Sequence, residues 1–544
     1  MTRSNDQSTS APTAWSPLRF PVFRDLLLAD LVSDIGAFMQ TVGAAWLMTS
    51  LTTRVTYVAL IQTASALPFF FLALPAGAIG DIFNRRKLIL GTEIWMAAVA
   101  ILLAVATIAH VMTPWILLLL TLALSLGDAV ESPAWRAIFP DLVPKKDLSP
   151  ALALNGIEFN LARAVGPGLA GLIIAAAGVG AAFILNAVSF LGVIFVIARW
   201  KHPSHARKTP AETIPGGTLA AVRYVRYSPS IQILLVRAGC VIFCTSAFWA
   251  LLPSVAKTLN KGAIGYGLLL ACFGTGAMLG AIALDRARAT LSTETLLTIA
   301  TFLFGAVVLA TGTVGILSVL CLLMTFAGAA WIVFMSLFNT LIQNLAPDWV
   351  RARVLAVYLF VFQGSVALGS LVWGYVADRT SVELAFLLSS VGIGLSILLR
   401  FPLPLPTASV DLSSWNHWGK PALFAEPKPT QGPVLVTVEY TIDPKRASEF
   451  LAVIYKYQRI RRRDGAIRWG IFYDAGTSNR YLESFLLDSW AEHERQHDRF
   501  TLADRDLENQ VKQFSLEPAK VKHYIHASRR PPANQTSHET WNRR

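Results

Sequence analysis

Apolar runs long enough to cross a bilayer recur over residues 24–400. A helix needs about 20 apolar residues to span the hydrocarbon core. Twelve such segments are predicted, near 24–50, 56–80, 88–110, 114–134, 152–176, 179–199, 231–256, 264–284, 293–312, 315–342, 354–377 and 382–400. Gly and Pro are frequent inside them, as membrane helices tolerate. Beyond residue 431 the pattern changes. VLVTVEYTI (434–442) alternates as a strand, and a helix opens near Pro444. AIRWGIFYD (466–474) and RYLESFLL (480–487) read as a hairpin, followed by helices over 489–513 and a strand at KVKHYIHA, 520–527. The order β-α-β-β-α-β is the ferredoxin-like one.

Composition agrees with a membrane protein. Of 544 residues, 54% are hydrophobic and 15% charged, against about 25% charged in a soluble chain. The net charge of +13 suggests nucleic acid until the basic residues are located. Fifteen lie in one alternate set of loops: Arg85, Arg86, Lys87, Arg136, Lys145, Lys146, Lys201, Arg207, Lys208, Arg223, Arg226, Arg286, Arg288, Arg351 and Arg353. The other set holds Arg54, Lys257, Lys261 and Arg379. The positive-inside rule puts the first set, both termini and the C-terminal domain in the cytoplasm. No nucleic-acid partner is needed. Cys240, Cys244, Cys272 and Cys321 all fall inside apolar runs and read as small core residues. The predicted organisation is a disordered tail (1–18), a six-helix half (19–200), a central cytoplasmic loop (201–230), a second half (231–400), a Pro-rich linker (401–431), the α+β domain (432–528) and a disordered tail (529–544).

The two halves repeat at an offset of 203. Asp34 aligns with Arg237, Gly36 with Gly239, Trp46 with Trp249, Gly77 with Gly280, Arg85 with Arg288, Asn160 with Gln363 and Gly171 with Gly374. Parallel six-helix repeats are the major facilitator pattern, with substrate near the midplane and transport by rocking. The loop GAIGDIFNRRK (77–87) resembles that superfamily's signature loop at Gly77, Asp81, Arg85, Arg86 and Lys87. Ile82 and Asn84 depart from it, and Asn84 is expected to keep a left-handed turn. The resemblance implies that Asp81 caps a helix of the opposite half. It also implies that Arg85 reaches an acid of the fourth span, where Asp128 and Glu131 are available. Gly166-Pro167-x-x-x-Gly171 resembles the fifth-span signature of the superfamily's antiporters and drug exporters, with Ala170 in place of one glycine. Small residues there are expected to pack the fifth span against the eighth.

Arg163 lies about 16 Å along the fifth span. A charge at that depth needs a partner or water. Asp30 and Asp34 share one face of the first span, and an Asp34–Arg163 pair is expected, with Asp34 as a proton-coupling carboxylate. Glu158 lies about 140° round the helix from Arg163 and faces the cavity independently. Glu93 reads as an interfacial acid, while Arg237, Asn155, Asn339 and Gln363 are candidates for the substrate cavity.

RRRDGAIRW and SWAEHERQHDRFT resemble the soluble domain fused to exporters related to the enterobactin type. That domain resembles the dimeric α+β-barrel, monooxygenase-like superfamily. The resemblance implies a proton-coupled exporter of a siderophore, drug or amphipathic metabolite in the bacterial inner membrane, without cofactor or metal. The appended domain would dimerise or regulate the transporter. A solute symporter and a membrane-tethered monooxygenase-like enzyme using Trp469, His493 or His497 are the alternatives. HERQH (493–497) matches the zinc-protease pattern, but the domain lacks the usual scaffold, and a solvated helix face is expected.

Overall fold

The computed structural model describes residues 14–74, 84–200, 214–406, 411–415, 427–477 and 479–527. Most of both predicted tails, and Lys201, Arg207 and Lys208 of the central loop, lie outside the described residues. The first six spans are α1 (Pro21–Leu51), α2 (Val55–Leu72), α3 (Arg85–Ile108), α4 (Pro114–Leu142), α5 (Leu148–Ala177) and α6 (Val179–Arg199). A shorter helix, α7 (Ile214–Arg226), precedes the second six: α8 (Pro229–Thr258), α9 (Gly262–Thr290), α10 (Thr293–Thr313), α11 (Leu317–Asn344), α12 (Arg351–Arg379) and α13 (Val382–Leu398). Eleven of the twelve are long and apolar enough to cross a membrane, and α13 is a shorter apolar helix. Side chains of Asn84, Thr113, Ser292 and Ser381 cap α3, α4, α10 and α13. Each supplies an acceptor to a backbone N–H that the first helical turn leaves unpaired. Asn84 is therefore an extended N-cap (φ −65°) rather than the expected left-handed turn.

Two compact units exist. The first comprises Met1–Ile214, Ile233–Ile342 and Leu355–Leu405; the second comprises Pro215–Gln232, Gln343–Val354 and Pro406–Arg544. Inside the first, α5 and α9 meet along a seam of small residues. A Cβ on Gly267 would sit 2.5 Å from the Pro167 carbonyl and 2.9 Å from Gly171 Cα. One on Gly274 would sit 2.6 Å from Ala164 Cα. Backbones this close leave no room for a side chain. Gly166 faces the other way, toward Phe38 and Ile35 of α1. On the other flank, Val55 N–H donates to Asp378 (3.1 Å), Thr63 Oγ1 donates to the Ala367 carbonyl (3.1 Å), and Phe70 stacks on Phe360. Thus α2 packs against α12 along much of its length.

The second unit contains a four-stranded antiparallel sheet of order β2-β3-β1-β4, built from β1 (Val434–Thr441), β2 (Arg468–Tyr473), β3 (Arg480–Leu487) and β4 (Lys520–Ile525). Helices α14 (Ala447–Asp464), α15 (Trp490–Arg499) and α16 (Leu502–Lys512) complete it. Val434, Val436, Val438, Phe485, Phe450 and Ile454 form its core. The alternate strand positions Leu435, Phe472, Leu482 and Tyr524 share the other sheet face and are exposed. The run Arg461–Arg463 is divided between tasks. Arg461 pairs with buried Glu483 (3.1 Å), which also accepts from Trp469 (2.9 Å) and Tyr440 (3.0 Å). Removing one partner of a buried pair costs about 3–5 kcal/mol. Arg463 binds Asp464 and Asp504, both at 2.7 Å, and lies over the Tyr224 ring of α7. Burial pushes the Asp464 carboxyl up to about 6, with Arg463 opposing it. From α7, Arg223 pairs with Glu492 of α15 (2.8 Å), which also takes Arg499 (2.6 Å). Arg499 in turn lies over Trp349, which packs edge-on against Tyr224.

The seam makes a testable contrast. Gly267→Val is expected to destabilise the detergent-solubilised protein by about 1–3 kcal/mol through overpacking, whereas Gly91→Ala, whose Cβ meets nothing within 4 Å, should leave the thermal midpoint unchanged or raised. Equal midpoints for Gly267→Val and the parent protein would contradict the seam.

Candidate functional site

The polar residues of the first half gather where α1, α3, α4 and α5 pack. One oxygen from each of Asp30, Asp34 and Glu158 lies within 4.8 Å of the others. Glu158 is buried, and neither of its carboxylate oxygens has a hydrogen-bond partner among the described residues. Asp30 and Asp34 stand one turn apart on α1, so both present to the same neighbour. Gly166 is what lets that neighbour come close: a Cβ there would meet Phe38 Cβ at 2.7 Å. The sequence separates Glu158 from the two aspartates by more than a hundred residues and gives no signal for the union beyond similar depth.

Arg163 does not form the expected direct pair. It lies within electrostatic reach of Asp34, but among the described residues no carboxylate is at ion-pair distance. Its guanidinium lies over the Phe159 ring, 4.9 Å from the centroid, and Phe159 packs on Phe38. Cation–π contact is a weaker substitute for a carboxylate. The separation of Glu158 and Arg163 round α5 explains the division: the acid faces α1's aspartates while the arginine lies on an aromatic ring.

A second acidic group lies beside the first. Glu131 of α4 accepts from Thr92 Oγ1 (2.7 Å), and Glu93 lies against Glu131 at 4% exposure. Glu93 is thus buried among helices rather than interfacial. Asp128 is exposed on α4, within electrostatic reach of Asp34 and Arg136.

The signature loop is placed in part. Gly77 and Asp81 lie outside the described residues. Arg85 pairs with Asp141 (2.9 Å) and donates to the Ala137 carbonyl (2.8 Å), not to Asp128 or Glu131. The reason is length: α4 runs on to Leu142, so its end carries Asp141 about 15 Å beyond Glu131. Arg86 donates to the carbonyls of Ile197 and Ala198 at the end of α6, and the Lys87 amide donates to Asn84. The repeat-related Arg288 donates to Ser336 of α11 (2.9 Å). Of the fifth-span residues, Gly171 and Pro167 contact α9, and Gly166 contacts α1.

Arg237 binds Glu294 through both guanidinium nitrogens (2.6 and 2.9 Å) and donates to the Leu403 carbonyl. It ties α8 to α10 and to the chain after α13. Asn155 Oδ1 is buried without a partner among the described residues, Gln363 is half-buried and Asn339 is exposed. A cavity of about 550 Å³ opens among the loops joining α1–α2, α8–α9, α10–α11 and α12–α13, lined by Thr49, Thr52, Lys257, Thr313 and Glu383. None of the four cavity candidates lines it. Lys257 Nζ donates to the Thr49 carbonyl across the two halves. Sequence reasoning gives no sign of an aromatic cluster in the second half, in which Trp249 packs edge-on against Phe248, Phe273 and Trp331.

Residues 12–531 match the family model described as "Transmembrane secretion effector". Similar proteins include the staphyloferrin A transporter of Staphylococcus aureus, 24% identical over 70% of this chain and 96% of its own length. The multidrug efflux pump Tap of Mycolicibacterium fortuitum is 24% identical over 72% and 97%. The enterobactin exporter EntS of Citrobacter koseri is 26% identical over 71% and 95%. Among solved structures, a single-residue mutant of the nucleoside transporter NupG aligns with TM-score 0.60 at 12% identity, covering 70% of this chain and 100% of that one. An inward-facing bacterial homologue of the lysosomal transporter Spinster aligns at 0.58 and 15% identity, covering 71% and 97%. At such identity these two speak to the fold alone. With eleven membrane-length apolar helices and one shorter apolar helix among the described residues, and a family match along nearly the whole sequence, this chain belongs to the transmembrane secretion effector family of major facilitator transporters.

Proposed function

We propose that this transporter is a proton-coupled exporter whose cargo is a siderophore, a drug or another amphipathic metabolite. The observation that carries the reading is the gathering of Asp30, Asp34 and Glu158 beside Arg163. Like charges packed together at low dielectric repel strongly, so taking up or releasing one proton changes the local energy more than it would in water. Protonating Asp34 weakens its attraction for Arg163 and biases the halves toward one of their two arrangements. The α5–α9 seam supports export: interlocked backbones between the halves limit leakage as they rock. The relatives named for staphyloferrin A, enterobactin and multidrug efflux support the cargo class. The signature-loop arginines brace α3 against the ends of α4 and α6 on the basic side, within the first half. By the distribution of Lys and Arg, that side, both termini and the C-terminal domain are cytoplasmic, in a bacterial inner membrane.

The appended domain is of the ferredoxin-like, dimeric α+β-barrel kind on this reading, supported by its sheet order β2-β3-β1-β4. Its role is homodimerisation through the open sheet face that carries Leu435, Phe472, Leu482 and Tyr524. Exposed apolar residues clustered on one sheet face mark an interaction surface.

Inverted membrane vesicles acidified inside test the transport reading. Adding a siderophore or a cationic drug is expected to dissipate the pH gradient, and Asp34→Asn to reduce that response at least tenfold. A full response in Asp34→Asn would remove the coupling role, and no response to any cargo in the parent protein would remove proton-coupled export. For the domain, Phe472→Asp combined with Leu482→Asp is expected to convert a dimer to a monomer by mass photometry in detergent. A parent protein that is already monomeric would defeat the dimer.

A further inference from the structure

The turn between α1 and α2 is held by charged residues of the opposite half. Val55 opens α2, and its N-cap, Arg54, offers no side-chain hydrogen bond to the first turn. The acceptor comes instead from Asp378, near the end of α12, which takes the Val55 N–H (3.1 Å). On the other side of the turn, the Thr49 carbonyl belongs to the last turn of α1, where carbonyls lack partners within the helix. Lys257 Nζ, at the end of α8, donates to it. Thr56 Oγ1 donates to the Gly374 carbonyl of α12 (3.3 Å), and Trp46 of α1 stacks on Tyr266 of α9.

Both charges have the sign that the helix ends call for. A helix N-terminus carries partial positive charge and a C-terminus partial negative charge, so a carboxylate suits the first and an ammonium the second. Caps ordinarily come from the chain's own neighbouring residues, as at α3, α4, α10 and α13. Here both come from the other half, so each exists only while the halves are close at this end. Lys257 and Asp378 are exposed residues, which makes each contact weak and sensitive to salt. Weak contacts suit a closure that must break in every cycle. The repeat places Arg54 at the position of Lys257, one on each turn, yet among the described residues only Lys257 reaches the other half. Thr49, Val55 and Lys257 also line the cavity of about 550 Å³, so the caps form part of its wall.

We propose that Lys257 and Asp378 are gate residues, which close this end of the transporter by capping the C-terminus of α1 and the N-terminus of α2 across the halves, and that the cavity they wall is the vestibule through which cargo passes when the caps release. On the orientation proposed above, this is the outer end. When the halves rock apart here, water replaces both caps. When they rock together, the caps re-form and favour the closed arrangement by about two- to fivefold each. The proposal rests on the exporter reading only in that the halves rock. It needs neither proton coupling nor a particular cargo.

Spin labels at the exposed positions Thr53 and Lys261, on the α1–α2 and α8–α9 turns, read the gate in the full-length protein in lipid nanodiscs, with the four native cysteines replaced by alanine. Double electron–electron resonance at one fixed pH, without cargo, is expected to show a short and a long distance population. Asp378→Ala and Lys257→Met should each raise the long-to-short ratio about two- to fivefold, and the double variant about tenfold. Arg54→Met removes a charge from the same turn without removing a contact between the halves, and should leave the ratio unchanged. Raising salt from about 0.05 M to about 1 M should raise the ratio in the parent protein but not in the double variant; the parent measurement holds even where a variant folds poorly. An unchanged ratio in the double variant, a parent ratio that ignores salt, or an equal shift in Arg54→Met would overturn the gate. None of these outcomes bears on the carboxyl cluster, and loss of a pH response, which would defeat proton coupling, leaves the gate standing.

Discussion

Backbone proximity along α5 is the constraint on which the rest of the membrane unit depends. On one side Gly171 and the Pro167 carbonyl lie against Gly267 of α9; on the other Gly166 lies against α1. No residue with a side chain fits at these crossings. Between helices in lipid, packing of this kind replaces the hydrophobic drive available in water. The same closeness does electrostatic work. By drawing α5 onto α1 it brings Glu158 over Asp30 and Asp34 and sets Arg163 within reach of Asp34. A helix that touches the other half on one face and the acidic cluster on another is placed to transmit a change in charge to a change in packing.

Charge is distributed in two ways along the membrane unit. Near helix ends, arginines have settled partners: Arg85 with Asp141, Arg237 with Glu294, Arg86 with the closing carbonyls of α6. These contacts hold helix termini together and satisfy orphan groups. In the middle of the first half the pairing is incomplete. Arg163 lies on an aromatic ring, Glu158 has no hydrogen-bond partner among the described residues, and Glu93 lies against another acid. A structural network would be expected to close, because unpaired buried charge is costly. Incompletely paired, ionisable groups inside a membrane domain mark a functional pathway.

Sequence pattern carries the helices and the small-residue seam, because each is written in local composition or fixed spacing. Partner identity is less legible. Depth and helix face can be read from position, but the rotation of one helix against another cannot. That is why depth matches Asp34 to Arg163, whereas Asp34 lies with Asp30 and Glu158. It is also why the repeat suggests a cavity position for Arg237, which Glu294 holds instead. Arg85 departs from expectation for a simpler reason: α4 continues past Pro133 and Pro140 to Leu142, although prolines ordinarily end a helical reading. Asn84 tolerates a left-handed turn, but its stronger preference for an N-cap prevails. In the C-terminal unit the alternation of strands is plain, whereas the tie between α7 and α15 through Arg223 and Glu492 spans 269 residues and leaves no local trace.

The central claim is that protonation of the carboxyl cluster sets the balance between two arrangements of the halves. Spin labels on the α1–α2 and α8–α9 loops, with double electron–electron resonance distances recorded across a pH series from acidic to mildly alkaline, test it most directly. Two distance populations are expected, whose ratio shifts with pH in the parent protein and is locked in Asp34→Asn. A ratio that ignores pH, or that shifts equally in Asp34→Asn, would contradict it.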